Sequence, residues 1–473
     1  MKIVLSFILS FLMLYCDAQV YDANNITMLG HWDGGSLTSV GTGIGNRYSG
    51  CYGYEQGGKE YAIVGNADYT YFINIDDPTN LITIDSVAGA LQNCVWREYR
   101  VFQNFVYAVS DDAGANRLQI IDLQYLPDSV HVVVNSDSIA KQIHTIFIED
   151  TLLYGGSVTY NDGTFSAMTV WSIADPTHPI QLRKLTENIP TFAGHVHDMF
   201  ANNDTVYLSC GFDGLQVVVF NRDTRDFILV GSLTGYPFSG YNHSVTIMDD
   251  GLTMIMADEV PADLPFKSVD ISDLSDMQVL QTVHSKYGAT PHNPYNAHYN
   301  NRCYVSCYQD GLMVYDVSRP DSLVLTGFFD THFATLDTAH ETDLAYKGSW
   351  GAYMFTNKMI ITNDMQTGLY VLDATEALNN PTAIRSNPTL QSLYVYPTIC
   401  ENEITIACST NIDATLQYDI KSLEGKIICA TTPFILNGNS QKGSVATANL
   451  STGFYLITIR NSTSSRAFKF FKK

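Results

Sequence analysis

The sequence predicts an all-β fold, namely a seven-bladed β-propeller that is closed by its N-terminal strand and followed by a small C-terminal β-sandwich. The first observation is a phrase of alternating apolar and polar residues that recurs seven times, about 50 residues apart. The second is a composition with 12% aromatic and only 16% charged residues, which suits pleated surfaces on which aromatic side chains pack well. The third is that helical periodicity is nearly absent, since only Thr375–Leu378 suggests a helical turn.

The repeat is best followed through the residue that ends its second alternating run. Successive copies of this residue are 46 to 57 residues apart, and they are Asn74, Asp122, Ser172, Asn221, Asp270, Asp316 and Asp373. A unit of this length that contains only strand signals is typical of one four-stranded propeller blade. Seven copies therefore predict seven blades.

Glycine marks the turn between the two runs of a repeat. Gly214, Gly311 and Gly368 occupy the same turn, in the phrases DGL, DGL and TGL. Because glycine tolerates the positive φ angles of tight hairpins, we expect antiparallel hairpins at these turns.

The last repeat lacks a fourth strand, because its second run is followed by the polar, Pro-broken phrase NNPTAIRSNP. The missing strand is present at the other end of the chain, where ITMLGHWDG (Ile26–Gly34) resembles LVLTGFFDT (Leu323–Thr331). We therefore expect the N-terminal strand to complete the seventh blade. This pairing would close the ring and remove an exposed sheet edge.

The ends of the chain carry further signals. Residues 1–18 resemble a signal peptide, because Lys2 precedes the apolar run Ile3–Tyr15 and small residues follow at Cys16 and Ala18. The apolar run is too short for a membrane span, so we expect export and cleavage after Ala18, without a membrane span. The domain prediction is a propeller at 26–378, a linker at 379–391 and a separate β-rich unit at 392–473.

The C-terminal unit contains short alternating strands such as EITIAC and GFYLITIR, the pattern of a small β-sandwich. The phrases YVYP (Tyr394–Pro397), YDIKSLEGKII (Tyr418–Ile428) and NLSTGFYLITI (Asn449–Ile459) resemble the C-terminal sorting domain of the type IX secretion system of Bacteroidota. The resemblance implies that the type IX machinery is a partner and that the protein is secreted or displayed on the outer membrane. The alternative is an ordinary β-sandwich module for binding.

The body resembles the secreted choice-of-anchor B family, which carries LVIVD-type propeller repeats. The phrases that carry the resemblance lie at Val95–Leu123, His292–Pro320 and Gly348–Ala374. It implies a fold and an extracellular address, and no particular activity.

The net charge of the chain disfavours some classes of binding partner. The formal net charge of −22 disfavours nucleic acid and anionic lipid, because like charges repel. An unidentified extracellular ligand or protein is the expected partner.

Eight cysteines lie beyond the predicted signal peptide, and their state is left open by the sequence. An exported chain permits disulfides, whereas buried free thiols acting as small apolar groups are the alternative. The eight are Cys51, Cys94, Cys210, Cys303, Cys307, Cys400, Cys408 and Cys429.

The first strand of each blade lines the channel of a propeller, so residues at one repeat position form a ring. Counting back from a tyrosine of the second strand assigns to this candidate binding ring Arg97, His144, His197, His243, His292 and Trp350. His243 fits with one residue of slack, and His292 fits if its hairpin carries a two-residue insertion. Four consecutive blades thus present histidine at one level.

Converging imidazoles can bind a transition metal such as Zn²⁺, bind an anion or move protons, whereas a single histidine at a strand start more often has a structural role. Asp198, Asp258 and Glu259 lie close in sequence and could orient the imidazoles or add oxygen ligands. Acidic loops such as Asp111–Asn116 could hold Ca²⁺, although solvated turns are the simpler reading. The candidate metal ligands are therefore the four histidines and these three acids.

Catalytic motifs are missing from the sequence. It contains no HExxH, no GxSxG, no P-loop and no dinucleotide fingerprint. We therefore expect a non-catalytic binding module at the cell surface or outside the cell. The alternative is a metal-dependent hydrolase or lyase that uses the histidines of the channel.

Overall fold

The structure is a computed structural model of the 473-residue chain. It describes residues 21–35, 37, 45–112, 114–190, 192, 194–332, 346–380, 393–397, 399–408, 416–422, 426–434, 442–460 and 465–473. The predicted signal peptide at 1–18 and residues 381–391 of the predicted linker lie outside the described residues. The chain divides into two compact units, 1–380 and 381–473.

The first unit begins with two strands that join later blades, β1 (Ala23–Asn24) and β2 (Thr27–Trp32). The first blade contains β3 (Tyr48–Gln56), β4 (Lys59–Asn66), β5 (Tyr69–Asn74) and β6 (Ile82–Ala88). The second contains β7 (Arg97–Phe102), β8 (Phe105–Ser110), β9 (Leu118–Asp122) and β10 (His131–Ser136). The third contains β11 (Thr145–Glu149), β12 (Leu152–Thr159), β13 (Phe165–Ser172) and β14 (Ile180–Lys184), followed by the helical turn α1 (Leu185–Asn188).

The next blades repeat this order. The fourth contains β15 (Asp198–Asn202), β16 (Thr205–Ser209), β17 (Leu215–Asn221) and β18 (Asp226–Leu233). The fifth contains β19 (Asn242–Ile247), β20 (Thr253–Asp258), β21 (Phe266–Asp270) and β22 (Gln278–Val283). The sixth contains β23 (Asn293–Asn296), β24 (Arg302–Ser306), β25 (Leu312–Asp316) and β26 (Val324–Phe329). The seventh contains β27 (Ser349–Met354), β28 (Met359–Asp364) and β29 (Gly368–Asp373), followed by α2 (Thr375–Asn379).

The N-terminal strand completes the seventh blade, as predicted. Strand β2 pairs antiparallel with β29, so that Thr27 lies opposite Asp373 and Trp32 lies opposite Leu369. Strand β1 adds a fifth strand to the sixth blade by pairing Ala23 with Phe329. The residue pattern does not predict β1, because two residues are too few to show an alternation.

The core of the ring lies between the blades. Seven buried apolar clusters each combine side chains from two neighbouring sheets, because each sheet has an apolar face on both sides. One of them joins the first blade to the seventh, with Val64 and Ile73 packed among Ile361 and Val371. The predicted all-β propeller of seven blades is therefore confirmed, and its ring is closed.

The first strands of the blades form the innermost layer of the ring. Each one, from β3 to β27, lies against the first strand of the next blade, and β27 lies against β3. The residues that begin these strands therefore converge on one central channel. This arrangement positions the candidate site.

The C-terminal unit is a β-sandwich, as predicted. Its strands are β30 (Leu393–Tyr396), β31 (Ile399–Cys400), β32 (Glu403–Cys408), β33 (Leu416–Ser422), β34 (Ile427–Phe434), β35 (Lys442–Ala446), β36 (Gly453–Arg460) and β37 (Ser465–Lys472). One sheet has the order β30-β32-β35 and the other the order β31-β37-β36-β33-β34. Ile404 and Val445 from the first sheet pack with Ile457 and Phe470 from the second, so each sheet buries one face.

The described cysteines favour the thiol alternative. Among the residues whose side chains are described, seven cysteines are free, and they are Cys51, Cys94, Cys210, Cys303, Cys307, Cys400 and Cys429. The side chain of Cys408 lies outside the described part. Within the described part of the chain, no helix has the length and apolar character of a membrane span.

Ring closure yields a prediction about Gly30 of β2. A Cβ atom at Gly30 would overlap the carbonyl oxygen of Pro78, which is backbone of the first blade. We expect Gly30→Ala to lower the free energy of unfolding of the propeller by at least about 1–3 kcal/mol, the usual cost of overpacking. Urea unfolding followed by tryptophan fluorescence measures this, because all four tryptophans lie in the propeller.

Gly235→Ala is the matched control, because a Cβ atom at Gly235 meets nothing within 4 Å. If the two variants unfold at the same urea concentration, the close approach of β2 to the first blade contributes nothing to stability.

Candidate functional site in the channel

A cavity of about 750 Å³ occupies the channel. Its wall includes residues from the first strands of all seven blades, from Cys51 in the first to Trp350 in the seventh. Aromatic rings form much of the wall, and they include Tyr52, Trp96, Phe147, Phe200, Phe212, Tyr241, Tyr295, Tyr346, Trp350 and Tyr353. Apolar walls with a few polar groups are the usual composition of a ligand site.

The four histidines predicted for the channel lie together as an arc on this wall. The ring centroids of His144 and His197 are 4.4 Å apart, and those of His197 and His243 are 4.1 Å apart. His292 follows at 4.2 Å from His243, and Trp350 continues the arc at 4.1 Å from His292. The structure therefore brings together five of the six predicted ring residues.

Backbone pairing within each blade explains why the four histidines lie at one level of the channel wall. The N–H groups of His144, His197 and His292 each donate to a carbonyl oxygen of the second strand in their own blade. His243 lies at a bulge, because Asn242 pairs with Asp258 and Ser244 pairs with Ala257. This bulge accounts for the residue of slack in the sequence count, since a bulge inserts one unpaired residue.

His292 reaches the same level of the channel wall as the other histidines because the hairpin of its blade is longer. Tyr295 pairs with Tyr304 across nine positions, whereas Phe200 pairs with Tyr207 across seven. The two extra residues are the insertion that the sequence count requires.

The hydrogen-bond partners of His144 and His197, at one end of the arc, show which of their nitrogens carry protons. His197 Nδ1 lies 3.1 Å from the carbonyl oxygen of His243, which only accepts, so this nitrogen carries a proton. His197 Nε2 then accepts from His144 Nε2 at 2.9 Å. His144 Nδ1 lies 2.7 Å from Asp111 Oδ2, a carboxylate oxygen that also accepts. His144 therefore carries both protons and a positive charge, paired with Asp111.

The pKa directions agree with this assignment. Burial lowers the pKa of His144, but the hydrogen bond and charge of Asp111, with Glu98 and Asp198, outweigh it, so the pKa is raised. Burial, and then the positive charge of His144, hold the pKa of His197 well below its usual range. The arc thus begins with a charged histidine and continues with a neutral one.

The other end of the arc has free lone pairs. His292 Nδ1 donates to the carbonyl oxygen of Trp350 at 2.5 Å, whereas its Nε2 is buried without a hydrogen-bond partner. His243 Nδ1 makes no well-formed hydrogen bond, although the backbone of His292 is close enough to oppose the lowering of the His243 pKa. Burial lowers the pKa of His292 to about 3 and that of His243 well below its usual value, so both rings are neutral near pH 7.

Glu259 faces these two histidines. Its carboxylate and the two imidazoles offer ligand atoms that all lie within 4.8 Å of one another. Tyr308 donates its hydroxyl proton to Glu259 Oε1 at 2.5 Å, which fixes the carboxylate. Burial raises the pKa of Glu259. Among the described residues, this is the one cluster of three metal-ligating side chains found so close together.

A second polar group lines another part of the cavity. Arg100 lies 3.9 Å from Glu98, and Glu98 accepts a hydrogen bond from Trp350 Nε1 at 3.1 Å. Burial raises the pKa of Glu98 and raises that of Asp198 to about 6, although Arg100 opposes both shifts. The channel therefore holds one guanidinium beside two carboxyl groups that protonate more readily than usual.

Two predicted site residues lie outside the cavity wall, which corrects their assignment. The Arg97 guanidinium donates to the backbone carbonyl oxygens of Asn66, Ala67 and Leu91. The side chains of Glu98 and Arg100, on the same strand β7, line the channel instead. Arg97 does hold the counted position, because Arg100 lies opposite Tyr107 just as Phe200 lies opposite Tyr207. It differs because β7 already begins at Arg97, whereas β15 begins one residue after His197. Side chains alternate along a paired strand, so Arg97 lies on the face opposite to Glu98 and Arg100.

The second correction concerns Asp258. Its carboxylate forms an ion pair with Lys267 at 2.8 Å and accepts hydrogen bonds from Tyr236 and Gly240. Both charged side chains are completely buried. Asp258 therefore holds the fifth blade together, and the four histidines are not among its hydrogen-bond partners.

Sequence reasoning missed several residues of the site. The alternation of β7 could have identified Glu98 and Arg100 on one face. Asp111 was predicted only as part of a possible Ca²⁺ loop, and Tyr308 was not predicted. Each makes its contact from a loop of one blade to a residue of the neighbouring blade.

Comparisons with known proteins concern mainly the C-terminal unit. Residues 394–473 match the family described as "Secretion system C-terminal sorting domain". The tail is a type IX sorting domain. It indicates export to the cell surface or the exterior. A comparison with curated proteins found no match.

Solved structures resemble the propeller only distantly. One is a protein provisionally named 6-phosphogluconolactonase from Bacteroides uniformis, at 12% identity and a TM-score of 0.45, covering 64% of this chain and 90% of that one. Another is the WD40 β-propeller domain of Doa1, at 10% identity and a TM-score of 0.45, covering 73% of this chain and 96% of that one.

The Asp111–His144 pair yields a prediction about pH. Because the pair raises the pKa of folded His144, its stabilisation is complete below the unfolded value of about 6.5 and is lost as pH rises through the folded value. We expect Asp111→Asn to cost about 1–2 kcal/mol of unfolding free energy at pH 5.5, and clearly less at pH 9.

Urea unfolding at both pH values measures this difference. Asp128→Asn, at an exposed position, is the control and should show no such pH dependence. A cost for Asp111→Asn that is equal at pH 5.5 and pH 9 would contradict a charged His144.

Proposed function

We propose that the protein is an exported, non-catalytic binding module that holds its ligand in the channel cavity. The observation that carries the proposal is the cavity itself, whose volume of about 750 Å³ and aromatic wall fit a small molecule or an extended segment. The acidic chain, with a net charge of −22, favours neutral or cationic ligands.

The rim of the cavity supports this proposal. Phe212 lines the cavity and yet is 72% exposed, and its ring lies 5.2 Å from that of Tyr241 in an edge-to-face arrangement. Trp96 stacks on Trp350 at 4.9 Å. Exposed and stacked aromatic rings offer flat surfaces to the apolar faces of sugars, to aromatic groups and to cations.

In this proposal the C-terminal sorting domain directs the export of the protein. Residues 1–18 act as a signal peptide, and residues 392–473 are handed to the type IX machinery. The resemblance of the body to choice-of-anchor B proteins with LVIVD-type repeats supports an extracellular address. The propeller at 26–378 is then the part that meets the ligand.

A metal-dependent hydrolase or lyase is the second candidate. The cluster of His243, Glu259 and His292 on the wall of a wide cavity favours it, because a metal held by three side chains keeps a position open for substrate. Turnover of esters, glycosides or uronides by the intact chain, lost in Glu259→Gln, would establish this candidate over simple binding.

Ligand binding is tested first with the rim aromatic. We expect the intact chain to bind at least one member of a panel of soluble glycans and short peptides, and Phe212→Ala to weaken that binding about tenfold. Phe165→Ala is the matched control, because Phe165 is 52% exposed on an outer hairpin and does not line the cavity. Equal affinities of the two variants would contradict binding at this rim.

Export is tested by removing the tail. We expect a chain that lacks residues 392–473 to be retained inside the outer membrane of a bacterium with type IX secretion, because the machinery reads this domain. Cell fractionation compares it with the intact chain in the same strain and in one without the system. The appearance of the truncated chain in the medium would refute the role of the tail.

A further inference from the structure

We propose that His243, Glu259 and His292 form a binding site for one divalent transition metal ion, of which Zn²⁺ is the best fit. The site lies on the channel wall between the fifth and sixth blades. It goes beyond the binding role proposed above and does not depend on it, since a metal can be present whether or not the cavity takes a ligand.

The ligand types suit zinc. Two imidazole nitrogens and one carboxylate oxygen are a common protein ligand set for Zn²⁺, with bond lengths of about 2.0–2.2 Å. The three ligand atoms lie within 4.8 Å of one another, and tetrahedral coordination would bring them to roughly 3.4 Å by small side-chain shifts. Ca²⁺ fits poorly, because it takes six to eight oxygen ligands.

His292 is already arranged as a metal ligand. Its Nδ1–H donates to the carbonyl oxygen of Trp350, which leaves the lone pair on Nε2. That nitrogen is buried and has no hydrogen-bond partner. A histidine that binds a metal typically donates its other N–H group to a carbonyl or carboxylate oxygen. An unpaired buried nitrogen is costly, and a metal ion would remove this cost.

Glu259 is held by its neighbours in the same way. Its backbone N–H donates to the carbonyl oxygen of Tyr241 at 2.9 Å, which anchors the residue beside β19. The hydroxyl of Tyr308 donates to Oε1 of Glu259, so the carboxylate has a fixed orientation and its other oxygen is available. Tyr308 is therefore a positioning residue for this site.

The remaining two histidines of the arc are not ligands in this proposal. Both nitrogens of His144 are engaged, by Asp111 and by His197. Both nitrogens of His197 are engaged as well, by His144 and by the carbonyl oxygen of His243. The arc thus divides into a hydrogen-bonded pair and an open pair, and only the open pair has lone pairs to offer.

The experiment uses the untagged mature chain, recovered after export and stripped of metal with a chelator. Calorimetric titration with Zn²⁺ is expected to show one ion per chain with a Kd of about 1 µM or below. His292→Ala and Glu259→Gln should each weaken binding at least about 100-fold, and Tyr308→Phe about tenfold, the usual range for a supporting residue. Titration with Co²⁺ gives a second readout, because tetrahedral coordination produces visible absorption bands.

Two control variants test the choice of ligands. His144→Gln removes an engaged histidine of the arc, and His298→Ala removes a histidine whose side chain is 74% exposed, so both should leave the Kd for Zn²⁺ within about threefold. Glu259→Gln and Tyr308→Phe are conservative, so they keep the test valid should His292→Ala fail to fold.

Three results would overturn the proposal. The first is no saturable binding of Zn²⁺ or Co²⁺ to the intact chain. The second is unchanged affinity in Glu259→Gln and Tyr308→Phe. The third is loss of binding in His144→Gln as large as in Glu259→Gln. If the chain binds a ligand in the cavity but binds neither Zn²⁺ nor Co²⁺, the metal site is refuted and the proposed binding function still stands.

Discussion

The pairing of β2 with β29 is the constraint on which the rest of the structure depends. Each four-stranded sheet has two apolar faces and cannot bury both alone, so it needs a neighbour on each side. Seven sheets in a row would leave the first and the last with an open face. The chain removes this defect by supplying the outer strand of the seventh blade from its N-terminus, which carries Thr27–Trp32 beside Gly368–Asp373. Val64 of the first blade then packs with Val371 of the seventh, and the ring of cores is complete.

Closure also creates the channel and gathers its polar groups. The strand that begins each blade faces the axis, so one repeat position supplies one side chain per blade to the same level of the wall. Histidines at four such positions become neighbours whose rings lie 4.1–4.4 Å apart. Because the four rings are so close, hydrogen bonding gives the histidines different protonation states. Asp111 draws a second proton onto His144, and the resulting charge helps to keep His197 neutral. His243 and His292 remain neutral through burial, and each has a ring nitrogen within 4.8 Å of a carboxylate oxygen of Glu259.

The particular residues show where sequence reasoning succeeded and where it could not. The repeat period and the likeness of Ile26–Gly34 to Leu323–Thr331 predicted the number of blades and their closure, because both reflect local strand patterns. The level of the four histidines followed from counting. The same counting assigned Arg97 to the wall, but Arg97 is already a paired residue of β7, so its side chain lies on the face opposite to Glu98 and Arg100. At His243 a bulge supplies the extra residue in the count, and no residue pattern predicts a bulge of this kind.

The sequence by itself determined the all-β class, the seven-fold repeat, the closing strand and the sorting tail. These are properties of alternation, turn residues and local phrases, which act over a few neighbouring positions. Only the tertiary structure decided which imidazole nitrogens lack a hydrogen-bond partner. It also decided that Tyr308 orients the Glu259 carboxylate and that Asp258 forms an ion pair with Lys267. The Asp258–Lys267 pair forms between neighbouring strands of the fifth blade. The contacts of Tyr308 and of the imidazole nitrogens join loops and strands of different blades, so they form only when those blades pack together.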